Sequence, residues 1–494
     1  MKLLFGDIHN HCGMTYGYGS LEHALAAARE QLDFCMVTGH AMWPDIPERT
    51  PERAFLVDYH KAGFAKLKAR WEEIRAIVAA AAAEEFITFQ GYEMHSSHYG
   101  DYHLLSTDNH LPLIPSASPK NLLENVSPSP GIVIPHHMGY TPGYRGINWE
   151  EFDETVSPVV EVYSKHGCGM SDSAPYPYYH TMGPRDGRST AWEGLRRGYK
   201  FGFVASTDHH AGYPGSYGDG RAAVWAEEST KEAIWDAILK RRTYAVTGDK
   251  IRCQFSINGA PMGSEITADA RDIDINVEAC DFIDSITLYK NLKPLYVFHQ
   301  PESDETEGNY KIRIELGWGK NTEEGYLWEC AAGVRGGKFL DAEPCFRGRN
   351  VLSPAEKDKA DDDVNKLRNH IAVCSDSSVE FTAETFKNPS STVPATAAVN
   401  LTVSGSSKTA LSLEVNGRQM NVTVGELLES SRSMHMDSYN SHACLVHQAV
   451  PDTAYRFQVN VKDTSQTEHD VYYVEVRQKN EQYAWVSPVF VNKK

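Results

Sequence analysis

Residues 3–11 read LLFGDIHNH, an apolar run that ends on two histidines one residue apart. The run is short, and SLEHALAAAREQ (20–31) follows it. There Ser20 can cap a helix whose apolar side chains recur at helical spacing. The couplet of apolar run and helix repeats along the first half. DFCMVTGH (33–40) precedes a Pro-containing loop and a long helix expected within 51–85, whose AIVAAAAAEE stretch has very high helix propensity. FITFQGYE (86–93), GIVIPHH (131–137), VVEVYS (159–164) and FGFVAS (201–206) read as further strands, and KEAIWDAILKRR (231–242) as an amphipathic helix. Strands alternating with helices predict parallel strands buried on both faces. Six or more such units favour a closed or nearly closed α/β barrel over an open sheet.

From about residue 250 the texture changes. IRCQFSING, DIDINVEA, SITLYKN, YKIRIELG, AAVNLTVS, ALSLEVNG, YRFQVNV and VYYVEVRQ are short alternating runs separated by Gly, Asn, Asp and Pro. That pattern predicts antiparallel, sandwich-like sheets. The expected organisation is an α/β barrel over 1–250 and a β-rich region over 251–494, with the two packed together by a returning C-terminal strand. The charged segment PAEKDKADDDVNKLRNH (354–370) reads as a surface helix or a mobile loop.

Composition narrows the function. The chain has 494 residues and a formal charge of −18, which argues against nucleic-acid binding through a basic face and against attraction to anionic membranes. No apolar stretch is long enough to span a bilayer, and the N-terminus lacks the h-region of a signal peptide. The nine cysteines are scattered, with no CxxC, so neither a zinc ribbon nor a disulfide framework is expected. A cytoplasmic protein with mostly free thiols is the expectation. No P-loop, dinucleotide GxGxxG, GxSxG elbow or HExxH motif occurs, which removes support from nucleotide-driven, serine-hydrolase and zincin chemistry.

Histidine is the unusual residue: of 21, fifteen lie before residue 211. A lone HxH pair such as His9-Asn10-His11 is expected about once by chance at this histidine content. Position changes its weight. His9 and His11 end the first apolar run, His40 the second and Glu93 the third. His136 and His137 end a fourth, Glu161 lies within a fifth, and Asp208, His209 and His210 follow a sixth. In an α/β barrel the C-terminal strand ends converge on one face, where active sites form. Residues far apart in sequence would therefore meet, and nearly all are metal-ligand types. Imidazole and carboxylate without thiolate suit Zn, Mn or Fe. His9 and His11 share one side of an extended chain and can grip one ion together; Asp208 and His210 have the same spacing. Several cations held together, with Glu93 bridging, would bring the pKa of bound water near neutrality and clamp the oxygens of a displacement.

The ordered motifs GDIHNH, VTGH, GYE, YHLLS, IPHH and STDHH resemble those of the PHP (polymerase and histidinol phosphatase) superfamily. The resemblance covers roughly residues 1–250. It implies a distorted seven-stranded (β/α) barrel, a site for two or three divalent metal ions and, in many members, phosphoesterase activity. Carried over residue by residue, it implies metal-binding His9, His11, His40, Glu93, His103, His136, Asp208 and His210, with Asp7 as a ligand or a supporting carboxylate and His137 as a supporting residue. Two departures bear on one metal position, the third: the usual TDH is TGH here, with Gly39 in place of the acid, and the segment after His11 (Gly13 to Tyr18) offers no further His or Asp. The second half is similar to that of an uncharacterised bacterial branch of PHP-like proteins with a β-rich region after the barrel.

Around these residues, His95 and His98 read as pocket rim or solvated loop. Glu161 reads as a partner that orients a ligand histidine or as a substrate contact. Arg145, Lys165 and His166 can supply positive charge for an anionic group or be solvated loop residues, and His166 is the candidate general acid. Tyrosines and tryptophans between 140 and 217 can line an organic pocket or pack long loops. The expected function is metal-dependent hydrolysis by a metal-bridged hydroxide, with a small organic phosphate ester as substrate. Hydrolysis of a C–N, C–O, ester or lactone bond, or a non-catalytic binding role with a relic metal site, are the alternatives. The expected partner is a small anionic molecule rather than nucleic acid or membrane, and a homo-oligomer is compatible with the sequence.

Overall fold

Helices form where their caps and apolar stripes stand. In the computed structural model, which describes residues 1–300, 307–319, 325–350, 368–386 and 394–494, Ser20 accepts a hydrogen bond from the His23 backbone and opens the helix Leu21–Arg29. Ser118, followed by Pro119 at the first helical position, opens Pro119–Val126, and Thr230 caps Lys231–Leu239. The long helix runs over Ala54–Ala80 and buries Val57, Leu67, Trp71, Ile74 and Val78 along one stripe. Residues 354–367 of the charged segment lie outside the described residues. Among the described residues, no helix is long and apolar enough to cross a membrane. All nine cysteines are free.

The molecule is a mixed α/β structure of several sheets. The strands of the first half divide among three of them. Lys2–Asp7, Phe34–Cys35 and Ile87–Thr88 run parallel in one. Gly39–Met42, Gln90–Met94, Tyr102–Ser106 and Ile132–Pro135 form a second, and Gly202–Ala205, Val159–Ser164 and Gly167–Cys168 a third.

No closed ring of strands forms among the described residues, and the strands are not all parallel. Tyr102–Ser106 lies antiparallel to both of its neighbours; toward Gln90–Met94 the short connection from Met94 to Tyr102 has no room for a crossover helix. Arg221–Ala226 returns antiparallel to Lys2–Asp7, and Thr243–Val246 antiparallel to Arg221–Ala226. The free edge of Thr243–Val246 is then taken by Tyr483–Asn492 from the far end of the chain. The sheet therefore continues outward through His469–Gln478, Ile283–Lys290 and Lys293–Phe298 instead of curling back on itself.

Strands on both sides of residue 250 thus share one ten-stranded sheet, and one apolar core joins Phe5, Trp225 and Tyr244 to Phe255, Ile275, Val474 and Val486. Ser487 reinforces the junction: its hydroxyl accepts from the Phe203 backbone N–H at 2.7 Å and lies 3.2 Å from Thr243 Oγ1. Farther out, a six-stranded and a five-stranded antiparallel sheet face one another over Trp328, Phe339, Phe381, Leu401 and Leu413. Their alternating buried and exposed residues are the two-residue period read from the sequence.

Candidate metal centre

Backbone geometry gathers the centre before any side chain acts. In the second sheet His40 pairs with Glu93, and Glu93 with His103, so three candidate ligands stand in one cross-strand row. Directly opposed residues project to the same face. Opposite that row, the segments 9–11 and 208–212 are zipped together: Asp208 N donates to His9 O at 2.8 Å, His11 N to His209 O at 2.8 Å and Gly212 N to His11 O at 3.1 Å. The extended chain turns His9 and His11 inward, while Asn10 points away and donates to Met36 O at 2.9 Å. Asp208 (φ 50°), His137 (φ 28°) and Arg145 (φ 71°) all hold left-handed backbone, a strain that clusters at functional sites.

The imidazoles are aimed. His9 Nδ1 meets Glu161 Oε2 at 2.9 Å, His11 Nδ1 donates to Thr38 O at 2.6 Å and His210 Nδ1 donates to Asp208 O at 3.0 Å. His40 Nδ1 lies 2.9 Å from Thr15 Oγ1. With Nδ1 engaged, each ring is left with Nε2 for a ligand. His9 Nε2 and His11 Nε2 stand 3.3 Å apart. Glu93 Oε2 lies 3.7 and 3.3 Å from them, and Asp208 Oδ1 3.6 and 3.1 Å. A tetrahedral ion with bonds of about 2.0–2.1 Å needs ligand-to-ligand edges of about 3.3–3.4 Å.

Further groups of donor atoms lie close enough to share an ion, three of them drawn mainly from the expected ligands. These three are His9 with His103 and His136, His11 with His40 and His210, and Glu93 with Asp101, His136 and His137. Glu93 Oε2 and His103 Nε2 are buried without a hydrogen-bond partner, while His103 Nδ1 and His136 Nδ1 face each other at 3.2 Å. Buried acceptors of this kind are costly unless a cation or proton satisfies them. On these grounds the residues fit divalent metal ions.

Electrostatics agree with the geometry. Burial alone would raise the Glu93 carboxyl, but His95, His40 and His136 hold it well below the usual range; for Asp208, His9 and His166 do the same. Burial and neighbouring imidazoles push His40, His103 and His210 well down, and His136 to about 4, so these rings are neutral, the form that ligates metals. Burial lowers His9 too, but Asp208 and Glu161 outweigh it and raise this ring well above its ordinary value. An ion would take the place of that proton.

The eight residues expected as ligands all stand in this cluster; the others fall into several places. Asp7 is saturated by Thr207 Oγ1 (2.6 Å), Thr207 N (3.2 Å), Gly215 N (2.8 Å) and His9 N (3.2 Å), and so fastens the loop that carries Asp208. Glu161 lies behind His9 rather than facing open space, and burial raises its carboxyl to about 7 against the pull of His9. His166 does reach the cluster, with Nε2 3.0 Å from Asp208 Oδ2 and Nδ1 2.6 Å from the Tyr140 hydroxyl. Arg145 is not a free cation: its Nε donates to Asp101 Oδ2 at 2.6 Å, and its guanidinium lies 5.1 Å from the Trp43 ring. Lys165 turns away, to Asn350 Oδ1 at 3.0 Å. His137 Nε2 stands 3.3 Å from Asp101 Oδ2, and His209 faces away from the cluster, its Nδ1 accepting from Ala211 N at 3.1 Å.

Sequence reasoning missed Asp101 and undervalued His95. Asp101 is a hub for His95 (3.1 Å), His137, Arg145 and the Ser96 N–H (3.0 Å). His95 is buried, with Nδ1 3.0 Å from Glu93 Oε1 and Nε2 2.9 Å from the Tyr16 hydroxyl. The available signal was Asp101's place two residues before His103, on the same side of an extended strand.

Comparison with other proteins gives partial likenesses. Residues 215–271 match a family described as a protein of unknown function, DUF3604. The chain is 28% identical over 190 residues to an uncharacterized protein of Chlamydia pneumoniae, and 30% identical over 183 residues to one of Chlamydia trachomatis. These matches cover 35% and 33% of this chain, and the chain spans 30% and 29% of the length of those relatives. Among solved structures, the chain is similar to a two-domain protein containing a predicted PHP-like metal-dependent phosphoesterase from Bacteroides vulgatus. That match has a TM-score of 0.33 and 14% identity, and it covers 58% of this chain and 79% of the other.

Proposed function

We propose that the protein is a metal-dependent hydrolase of the PHP type that cleaves a small organic phosphate ester with two or three divalent ions, Zn, Mn or Fe. In this reading residues 1–250 form a PHP-like unit, its strands divided among open sheets, that holds the ions, and residues 251–494 form a β-rich unit packed on it. One observation carries the reading: His9 Nε2 and His11 Nε2, 3.3 Å apart, each stand 3.1–3.7 Å from Glu93 Oε2 and Asp208 Oδ1, carboxylates from distant segments.

His9, His11, Glu93 and Asp208 would hold one ion. His103 and His136, and His40 with His210, would hold the others, with Glu93 shared. When bound, such ions supply Lewis acidity, acidifying water and offsetting the charge that develops on a reacting phosphoryl group. The remaining work falls to the chain. Glu161 fixes His9 so that its Nε2 faces inward. His166 stands at the mouth with its side chain 10% exposed and, held by Tyr140, presents Nε2 as the proton source for the leaving group. Arg145, already paired with Asp101, offers an incoming anionic ester N–H donors rather than an unbalanced charge.

Metal analysis of the purified protein, with hydrolase assays before and after chelation, tests the proposal. A panel of phosphoesters, carboxylic esters, lactones and amides defines the bond. The expected result is bound transition metal and phosphoester turnover that chelation removes and metal restores, with loss of turnover in the His9→Ala, His11→Ala double variant. Metal-free, inactive protein would refute the reading. Turnover confined to carbonyl substrates would replace the phosphoester part and leave the metal part standing.

A further inference from the structure

The loop 206–220 carries Asp208 and His210 at one end and Tyr217 at the other, and its two faces are held by different halves of the chain. On the inner face Asp7 binds Thr207 and Gly215. On the outer face the segment Phe346–Asn350, from the β-rich half, runs alongside. Tyr217 N donates to Phe346 O at 2.9 Å, and Gly348 N donates to Ser216 Oγ at 3.2 Å. Tyr217 acts as a peg. Its ring has the Arg347 guanidinium at 4.8 Å and the Arg313 guanidinium at 5.2 Å, both from the β-rich half. Its hydroxyl accepts from Arg313 at 2.6 Å and donates to Asp249 at 2.8 Å.

The fit against Gly348 is close. A Cβ there would lie 2.4 Å from Tyr213 Cβ and 2.8 Å from His209 Cε1, so even alanine must displace the loop beside Asp208 and His210. Asn369, also from the β-rich half, donates to the Tyr213 hydroxyl. These contacts touch no candidate ligand, yet they hold the loop that carries two of them.

We propose that the β-rich half is a working part of the metal centre: Gly348, Arg347 and Tyr217 are positioning residues that set Asp208 and His210. The inference rests on the metal reading above. Removing a direct hydrogen-bond partner of a metal ligand typically costs about 10–100-fold in metal affinity, and residues one step farther back act at the low end of that range. Manganese titration of the full-length protein, by calorimetry, should therefore show Gly348→Ala and Arg347→Met binding at least one ion about tenfold or more weakly than the unsubstituted chain. Hydrogen exchange over 208–219 in the metal-free variants should be faster, while exchange over His103 and His136 stays the same.

The outcomes separate. If the unsubstituted chain binds manganese and both variants bind it equally well, the positioning role is overturned and the metal reading survives. If the unsubstituted chain binds no metal, the reading beneath falls first. Should Gly348→Ala fail to fold, Arg347→Met, which removes a guanidinium without adding a Cβ, decides alone.

Discussion

Glu161 Oε2 takes a hydrogen bond from His9 Nδ1 at 2.9 Å, and both side chains are sealed from solvent. The contact fixes the ring's orientation and its tautomer, and it is the only one of the His9 contacts made by Nδ1 rather than Nε2 among those described. Glu161→Gln keeps the shape but replaces the ionisable acceptor behind the ring with a neutral one. Metal affinity should fall about 10–100-fold, measured by competition with a chromogenic chelator, while thermal stability of the metal-free protein changes little by comparison.

His60 predicts a pH effect on stability. It packs against the Tyr16, Trp43 and His95 rings, donates Nδ1–H to Leu56 O at 2.7 Å, and is pushed down to about 3 by burial and then by His95. A histidine whose folded pKa lies below its unfolded value takes up a proton more readily when unfolded. Its stabilising contribution is therefore present above about pH 6.5 and is lost as pH falls from there toward 3. At pH 5 the loss is about 1–2 kcal/mol. Urea unfolding of His60→Gln at pH 7.5 and pH 5 should show a drop smaller by that amount than in the unsubstituted chain.

Ser487 offers a cleaner test of the junction between the halves. Removing its hydroxyl leaves the buried Phe203 N–H without its partner. An unsatisfied buried donor costs about 1–3 kcal/mol. Ser487→Ala should lower the denaturation midpoint accordingly, whereas Ser487→Thr, which keeps an acceptor, should recover part of the loss.

Trp328 is fully buried between the two outer sheets, and its Nε1–H donates to Thr385 Oγ1 at 3.0 Å. Trp328→Ala should cost about 3–5 kcal/mol through lost burial and the cavity left behind. Denaturation followed by circular dichroism should show the loss, and the metal content of the folded fraction should stay near that of the unsubstituted chain.

How far the sequence is legible follows from how local each determinant is. Ser20, Ser118 and Thr230 cap helices through contacts three residues away, and the helix at Leu21–Arg29 stands within the stretch read for it. The alternation of Ala270–Glu278 and Ala410–Val415 is likewise a property of neighbours. Ligand types at strand ends are legible because the strand itself tells where its end lies. Closure of a barrel is not, since it depends on which distant strand wins an edge. Thr243–Val246 pairs with Tyr483–Asn492, and nothing within residues 243–246 foretells that. The partners of charges are equally non-local. Arg145 reads as a free cation until folding brings Asp101 beneath it, and His95 reads as rim until Tyr16 and Glu93 close around it.

The placement of Tyr483–Asn492 beside Thr243–Val246 has a consequence for biosynthesis. The first half emerges from the ribosome with a bare strand edge, and the segment that covers it is made some 246 residues later (492 − 246). At about 5–20 residues per second, that edge waits roughly 10–50 s for its neighbour. Throughout the interval it is a template for wrong pairing with other nascent chains. Yield of this protein in a cell should accordingly respond to translation speed and chaperone supply more than to the strength of any single contact in the finished fold.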